Sequence, residues 1–304
     1  MDGEIPPRSL LAHAFVVEQP AARSLPLVLA SPHSGSDYPA EFLAASRLDP
    51  LALRRSEDSF VDELFAAAPR LGAPLLSARF PRAFLDVNRE AYELDPAMFS
   101  DALPGFVNSG SPRVRMGLGT IARIVANGEE IYARKLRFAE ARRRIECLYH
   151  PYHRALRGLV EETEEAFGGY LLVDCHSMPS VAGFCRVSDG ADFVLGDCHG
   201  SACAPRIIEA ARNFLTKRGF AVALNAPYAG GFTTGYYSRP SAGRHALQIE
   251  INRSLYMDER SYRRKARFAS LIKELADLVE RLGEAARDCL AQQSGAPATT
   301  KAKL

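Results

Sequence analysis

Four places in the sequence set catalytically able side chains directly behind apolar runs. LVLASPHSGSDYP presents His33 on a glycine-containing turn, and RFPRAFLDVNRE carries Asp86, Asn88 and Arg89. YLLVDCHSMPS runs into Asp174, Cys175 and His176, and HALQIEINR holds Glu250 between two isoleucines. In an open α/β sheet such positions fall at the carboxyl ends of strands, where these folds bind ligands. Two histidines from separate strand ends and a carboxylate are the ligand types of a catalytic zinc site, whose open fourth position takes water. Zinc is needed there because it lowers the pKa of water to about 7. A strand-end histidine also serves as a hydrogen-bonded structural residue, so spacing alone leaves both readings open. Glu250 would be expensive to bury unless paired or beside a metal, which points to acid–base chemistry. Ser34 and Ser177 lie in no G-x-S-x-G elbow, which weighs against a serine hydrolase.

The elements that must position these residues can be read from the apolar pattern. Short apolar runs at 27–30, 75–79, 84–87, 170–174, 193–195, 221–224 and 246–251 are predicted strands, several without alternation as expected for burial on both faces. Between them, helical periodicity predicts helices near 58–69, 128–147, 152–167 and 202–218, with Gly168-Gly169 and Gly219 as stop signals. The clearest helix follows Asp258, where Phe268, Leu271, Ile272, Leu275, Leu278, Val279 and Leu282 keep the i, i+3, i+4, i+7 spacing. The alternation implies an α/β layer structure in one domain over residues 1–291, with a disordered tail over 292–304.

Composition removes several function classes. With 38 basic and 36 acidic residues the formal net charge is +2, which gives no field for nucleic acid or acidic lipid and makes a small molecule the default partner. Arg142-Arg143-Arg144 and Arg263-Arg264-Lys265 read as solvated helix faces. The amino-terminal residues lack the basic and apolar regions of a secretory signal, and no run suits a bilayer span, so a cytoplasmic, soluble protein is expected. Six cysteines without a C-x-x-C pair suit reduced thiols.

The motifs SPHSGSDYP, SEDSFVDELF, FPRAFLDVNR, GLGTIARIV, DCHSMPS, LGDCHGSAC, NAPYAGGFTTGYYSRP and LQIEINRSLYMDE, in this order, resemble the N-formylglutamate amidohydrolase family. That family is similar in turn to the zinc carboxypeptidase and aspartoacylase group. The resemblance implies a three-layer α/β zinc-hydrolase fold with a mixed, largely parallel central sheet flanked by helices. It makes His33 and His176 ligands of one zinc ion per chain. Carboxypeptidases take their third ligand at i+3 from the first histidine, but that position here is Ser36; Asp58 is the favoured third ligand, Asp37 the alternative, and Asp62 a supporting group. Capping of a helix N-terminus would equally explain Asp58. By the same resemblance Glu250 is the general base and acid, and Arg82 polarises the scissile carbonyl. Asn88 and Arg89 would hold a substrate carboxylate. A straight strand would separate Arg82 from Arg89 by about 23 Å, so the chain must bend between them if both serve one site.

The Gly-, Tyr- and Pro-rich segment 225–245 reads as a substrate-facing lid in which Gly230 and Gly231 allow close approach, with Arg239, Arg244 and His245 as further substrate contacts. Thiolate-rich closed sites are structural rather than catalytic, so Cys198 and His199 read as packing residues. At Gly235 the resemblance implies an arginine for a second substrate carboxylate. Its absence predicts weak discrimination for a glutamate side chain unless Arg239 or Arg244 replaces it. The expected reaction is hydrolysis of the formyl or small acyl amide of an N-acyl amino acid, N-formyl-L-glutamate or a relative. The rivals are a metallocarboxypeptidase, another N-deacylase, and a catalytically silent ligand-binding protein on the same fold.

Overall fold

The computed structural model describes residues 14–180 and 190–293. Seven strands, β1 (Phe15–Glu18), β2 (Leu27–Ser31), β3 (Leu75–Ala78), β4 (Tyr170–Met178), β5 (Phe193–Gly196), β6 (Val222–Leu224) and β7 (Arg244–Asn252), form one sheet in the order β1-β3-β2-β4-β7-β5-β6. The inner pairs β3–β2, β2–β4 and β4–β7 are parallel, β1 and β5 pair antiparallel to β3 and β7, and β5–β6 is parallel. The sheet is therefore mixed and mostly parallel.

Alternate residues of the buried strands serve opposite layers, because successive side chains leave a strand on opposite faces. Leu27, Leu29, Leu171 and Val173 pack with the helices Pro205–Lys217 and Phe268–Gln293. Val28, Ala30, Tyr170 and Leu172 pack instead with Tyr152, Leu156, Leu159 and Val160 of the helix His150–Phe167. That second face changes character along the chain: on β4 it runs from Tyr170 and Leu172 to Asp174 and His176, and on β7 from Ala246 to Gln248 and Glu250. The polar half lies at the carboxyl ends of the strands, where register pairs His176 with Glu250 and Asp174 with Gln248.

Several expected elements differ. Residues 84–87 form no strand but a buried turn, with Phe84 N bonded to Pro81 O (2.9 Å) and Asp86 N to Thr120 O (2.8 Å). The helix expected at 58–69 is a short turn, Val61–Leu64, followed by a 3-10 turn, Ala68–Leu71, that contains Pro69, a residue that cannot donate within a helix. The segment expected at 128–147 becomes α-helical only at Phe138–Arg144 and continues through a π-helical turn at Ile145–Tyr149. The carboxy-terminal helix includes Gln292 and Gln293; the rest of the expected tail lies outside the described residues. Strand β1 was not expected.

Of the basic runs, Arg144 is not solvated. It is buried, its guanidinium lies 4.0 Å from the Phe84 ring centroid, and it donates to Phe84 O and the Tyr132 hydroxyl (3.0 and 2.6 Å). Arg142 is exposed and Arg143 half-buried, and they pair with Glu146 and Glu41. Cys147, Cys175, Cys198, Cys203 and Cys289 are free thiols.

His153 ties the 150–167 helix to the turn below it. Its Nε2 faces Val87 O (2.8 Å), its Nδ1 faces the Tyr237 hydroxyl (2.9 Å), and its ring stacks on Tyr237. A neutral imidazole donating from Nε2 and accepting at Nδ1 satisfies both. Burial pushes its pKa down to about 4. The folded state therefore binds fewer protons than the unfolded chain, whose histidine titrates near 6.5. Stability from neutral His153 is fully present above pH ~6.5 and is lost as pH falls to about 4, worth up to about 3 kcal/mol. Denaturant titrations at pH 7.5 and pH 4.5 should show His153→Gln losing clearly less stability between the two than wild type; equal losses would place the acid sensitivity elsewhere.

Candidate active site

The turn after β2 carries His33, and the backbone N–H of Asp58 donates to His33 O (3.0 Å), which brings the start of the next helical turn beside it. His176 enters from β4. Three ligand atoms then converge: Asp58 Oδ2 lies 3.4 Å from His33 Nδ1 and 3.0 Å from His176 Nδ1, all within a group spanning no more than 4.8 Å. The outer nitrogens face carboxylates, His33 Nε2 to Asp86 (2.7 Å) and His176 Nε2 to Asp174 (2.9 Å). This is the pattern in which a metal-binding histidine donates its far N–H to a carboxylate, which fixes the tautomer and raises ligand basicity. His33 Nδ1 is fully buried and has no hydrogen-bonding partner, so the donor set fits a cation at this point.

The electrostatics agree. Desolvation opposes the Asp58 charge, but His176, hydrogen-bonded to it, and the neighbouring His33 imidazole outweigh it and hold the carboxyl well below its usual range. Arg253, absent from the sequence reading, donates to Asp58 Oδ1 (3.0 Å) and to Ser177 Oγ (3.1 Å). Desolvation likewise opposes Asp86, and Arg89, His33 and Arg82 prevail. Arg82 Nε reaches Asp86 Oδ2 at 3.0 Å and Arg89 Nη2 reaches it at 3.6 Å, so the buried turn that replaces the expected strand brings both arginines onto one carboxylate. Burial pushes the Glu250 carboxyl up to about 7; Asp58 adds to the rise, while His176, Arg82 and Arg253 oppose it. Glu250 accepts a hydrogen bond from Gln248 (2.9 Å). These groups open onto a cavity of about 530 Å³.

A model of the N-formylglutamate amidohydrolase family matches residues 25–257. The chain belongs to this family. The N-formylglutamate deformylase of Pseudomonas putida is 28% identical over 240 residues, 77% of this chain and 83% of that protein. The corresponding deformylase of Pseudomonas aeruginosa is 28% identical over 247 residues, 78% and 84% of the two chains. The crystal structure of an N-formylglutamate amidohydrolase from Ralstonia eutropha JMP134 superposes with a TM-score of 0.83 at 39% identity, covering 90% of this chain and 99% of that one. A gene product of Agrobacterium tumefaciens, at 20% identity and a TM-score of 0.59 over 88% of this chain and 94% of that one, shares the fold.

Within this member of the N-formylglutamate amidohydrolase family, His33, Asp58, His176, Glu250, Arg82, Asn88, Arg89, Gly230 and Gly231 come together, all but Asp58 lining the cavity. Asp37 does not join them: it is exposed and sits 3.4 Å from Arg79 Nε. Asp62 lies outside the His33–Asp58–His176 group, its carboxyl raised by burial, with Glu63 and Arg79 as its charged neighbours. Arg239, Arg244 and His245 stand at the wrong end of β7, since six residues of strand put Arg244 about 20 Å from Glu250. Arg239 and Arg244 line a second cavity, where Arg244 donates to Glu164 (2.7 Å), and His245 is buried 3.7 Å from Cys289 Sγ. Gly235 is exposed and outside the active cavity's lining. His199 is exposed, and Cys198 and His199 lie outside the metal-binding group.

Asn88 has a different task from the one expected. Its Nδ2 donates to Asp174 Oδ2 (3.1 Å) and its Oδ1 accepts from Thr233 N (2.8 Å), so its amide is committed within the protein. Of the residues missed, Asp86 and Asp174 stood in the quoted motifs as charges closing apolar runs, and Arg253 follows Glu250 by three positions at the end of β7. A Cβ at Gly231 would meet the Asn88 amide at 2.4 Å. Overpacking of this kind costs about 1–3 kcal/mol. Gly231→Ala should therefore melt several degrees below wild type, and an unchanged melting curve would show that Asn88 can move freely.

Proposed function

We propose that the protein is a zinc-dependent hydrolase of the formyl amide of N-formyl amino acids, N-formyl-L-glutamate or a relative, releasing formate and the free amino acid. The observation that carries this reading is the convergence of His33 Nδ1, Asp58 Oδ2 and His176 Nδ1 beside the buried Glu250. The deformylase relatives support the substrate, and the three-ligand donor set supports one zinc per chain. Zinc held by His33, Asp58 and His176 would supply Lewis acidity toward the formyl oxygen and toward water.

The remaining chemistry belongs to the chain. Glu250 takes a proton from the attacking water and returns it to the amine nitrogen as the C–N bond breaks. A carboxyl pushed up to about 7 suits both transfers at neutral pH. Arg82, anchored by Asp86 through Nε, stabilises charge on the formyl oxygen with its outer N–H groups. Arg89 spends Nε and Nη1 on Leu118 O and Asn88 O (2.9 and 2.7 Å), which leaves Nη2 donors for the substrate α-carboxylate. Ser177, the alternative nucleophile, gives its hydroxyl to Asp58 Oδ1 (3.2 Å), and Ser34 shares its hydroxyl with Ser31 (2.9 Å).

The purified protein should contain about one zinc per chain, and His33→Ala and His176→Ala should each lower that occupancy, because the three ligands act jointly. Elemental analysis decides this, and full retention in both variants would move the metal elsewhere. With metal retained, Glu250→Gln should lower kcat for formate release about 100-fold to 10,000-fold. A near-normal kcat in that variant would assign the proton transfers to another group.

A further inference from the structure

Among the described residues, five arginines line the active cavity: Arg55, Arg82, Arg89, Arg113 and Arg253. Arg82 and Arg89 are held by Asp86, Arg253 by Asp58, and Arg55 by Glu129. The Arg113 side chain has no hydrogen bond and no ion pair. It is nevertheless well placed. Ser111 caps the short helix Pro112–Arg115 through Val114 N (3.1 Å), Arg113 O accepts from Leu118 N (2.8 Å), and Leu118 O accepts from Arg89 Nε (2.9 Å). Arg113 and Arg89 are thus tied together through Leu118 alone. After desolvation, which lowers the Arg89 pKa most, and a counteracting Asp86, the like charges of Arg82 and Arg113 lower it further. Two neighbouring cations facing one cavity repel each other, a cost that a ligand with two negative charges offsets. The same chain segment adds apolar lining to the cavity through Met116, Leu118, Ala122 and Ile124.

We propose that Arg113 is the specificity-determining residue of this cavity: it receives the side-chain carboxylate of a dicarboxylic N-formyl amino acid whose α-carboxylate rests on Arg89. The substrate's methylene groups lie along Met116, Leu118 and Ile124. This inference rests on the deformylase reading above and deepens it. It also reverses the weak discrimination expected from Gly235: the second anchor comes from the 112–118 segment, and neither Arg239 nor Arg244 is needed.

N-formyl-L-glutamate and N-formyl-L-glutamine are nearly isosteric and differ by one charge, so their kcat/KM ratio on the zinc-loaded enzyme reads the anchor directly. Wild type should favour the glutamate compound. Arg113→Gln should reduce that ratio about 10- to 100-fold, mainly through KM, because a charge-assisted contact is made in ground and transition states alike. Arg113→Glu should shift preference toward N-formyl-L-lysine, a gain that a merely structural role would not produce. Calorimetric binding of L-glutamate and L-glutamine supplies a readout independent of turnover. A glutamate-to-glutamine ratio in Arg113→Gln within about twofold of wild type, in kinetics or in binding, overturns the assignment of Arg113. If wild type binds glutamate with an Arg113-dependent preference yet releases no formate from any N-formyl amino acid, the deformylase reading fails and the anchor stands.

Discussion

Four carboxylates, Asp58, Asp86, Asp174 and Glu250, are buried together at the carboxyl end of the sheet, and their mutual compensation is the constraint on which the site depends. Burying a carboxylate without partners would neutralise it. Three guanidinium groups, Arg82, Arg89 and Arg253, stand against the four acids, which leaves one negative charge uncompensated while both histidines are neutral. The site can close that difference in two ways: a proton, either on Glu250, whose carboxyl burial has pushed up to about 7, or on His176, which Asp174 and Asp58 hold well above its ordinary range against desolvation, or a cation between the imidazoles. A site balanced between these two is suited to proton transfer beside a metal.

The layer structure was legible because every core strand is apolar enough to announce itself, and the carboxy-terminal helix because its apolar stripe holds over more than six turns. What local pattern could not supply was termination. Phe84, Leu85 and Val87 have the composition of a strand, yet they are buried as a turn, since Asp86 must bend back toward His33 and its backbone finds Thr120 rather than a neighbouring strand. The apolar pattern reports burial, and it cannot distinguish a buried strand from a buried turn.

The site was legible to the same degree. His33 and His176 follow apolar runs and Glu250 interrupts one, and strand polarity then gathers them at one end of the sheet. Arg239, Arg244 and His245 were misplaced by proximity in sequence to the glycine loop. The chain leaves that loop through the short helix Phe232–Tyr236 and enters β7 at its amino end, so Arg244 and Glu250 on one strand belong to different cavities. Arg113 lay in no apolar run and in no motif, and its place follows only from the Leu118 backbone that binds it to Arg89.

The pairing of β4 with β7 joins these levels. His176 and Glu250 are register partners, so a member of the group that fits a metal and the proposed acid–base carboxylate stand side by side on one face. A slip of one residue would turn either set toward the opposite layer, where Val173, Cys175, Leu247 and Ile249 now pack. The apolar halves of the two strands therefore specify the alignment of their polar halves. Asn88 extends that alignment beyond the sheet. One end of its amide holds Asp174, the carboxylate behind His176, and the other accepts from Thr233 beside the glycine loop. The glycine loop and the cluster that fits a metal thus share one side chain, which links Thr233 to His176 through three contacts, Thr233–Asn88, Asn88–Asp174 and Asp174–His176.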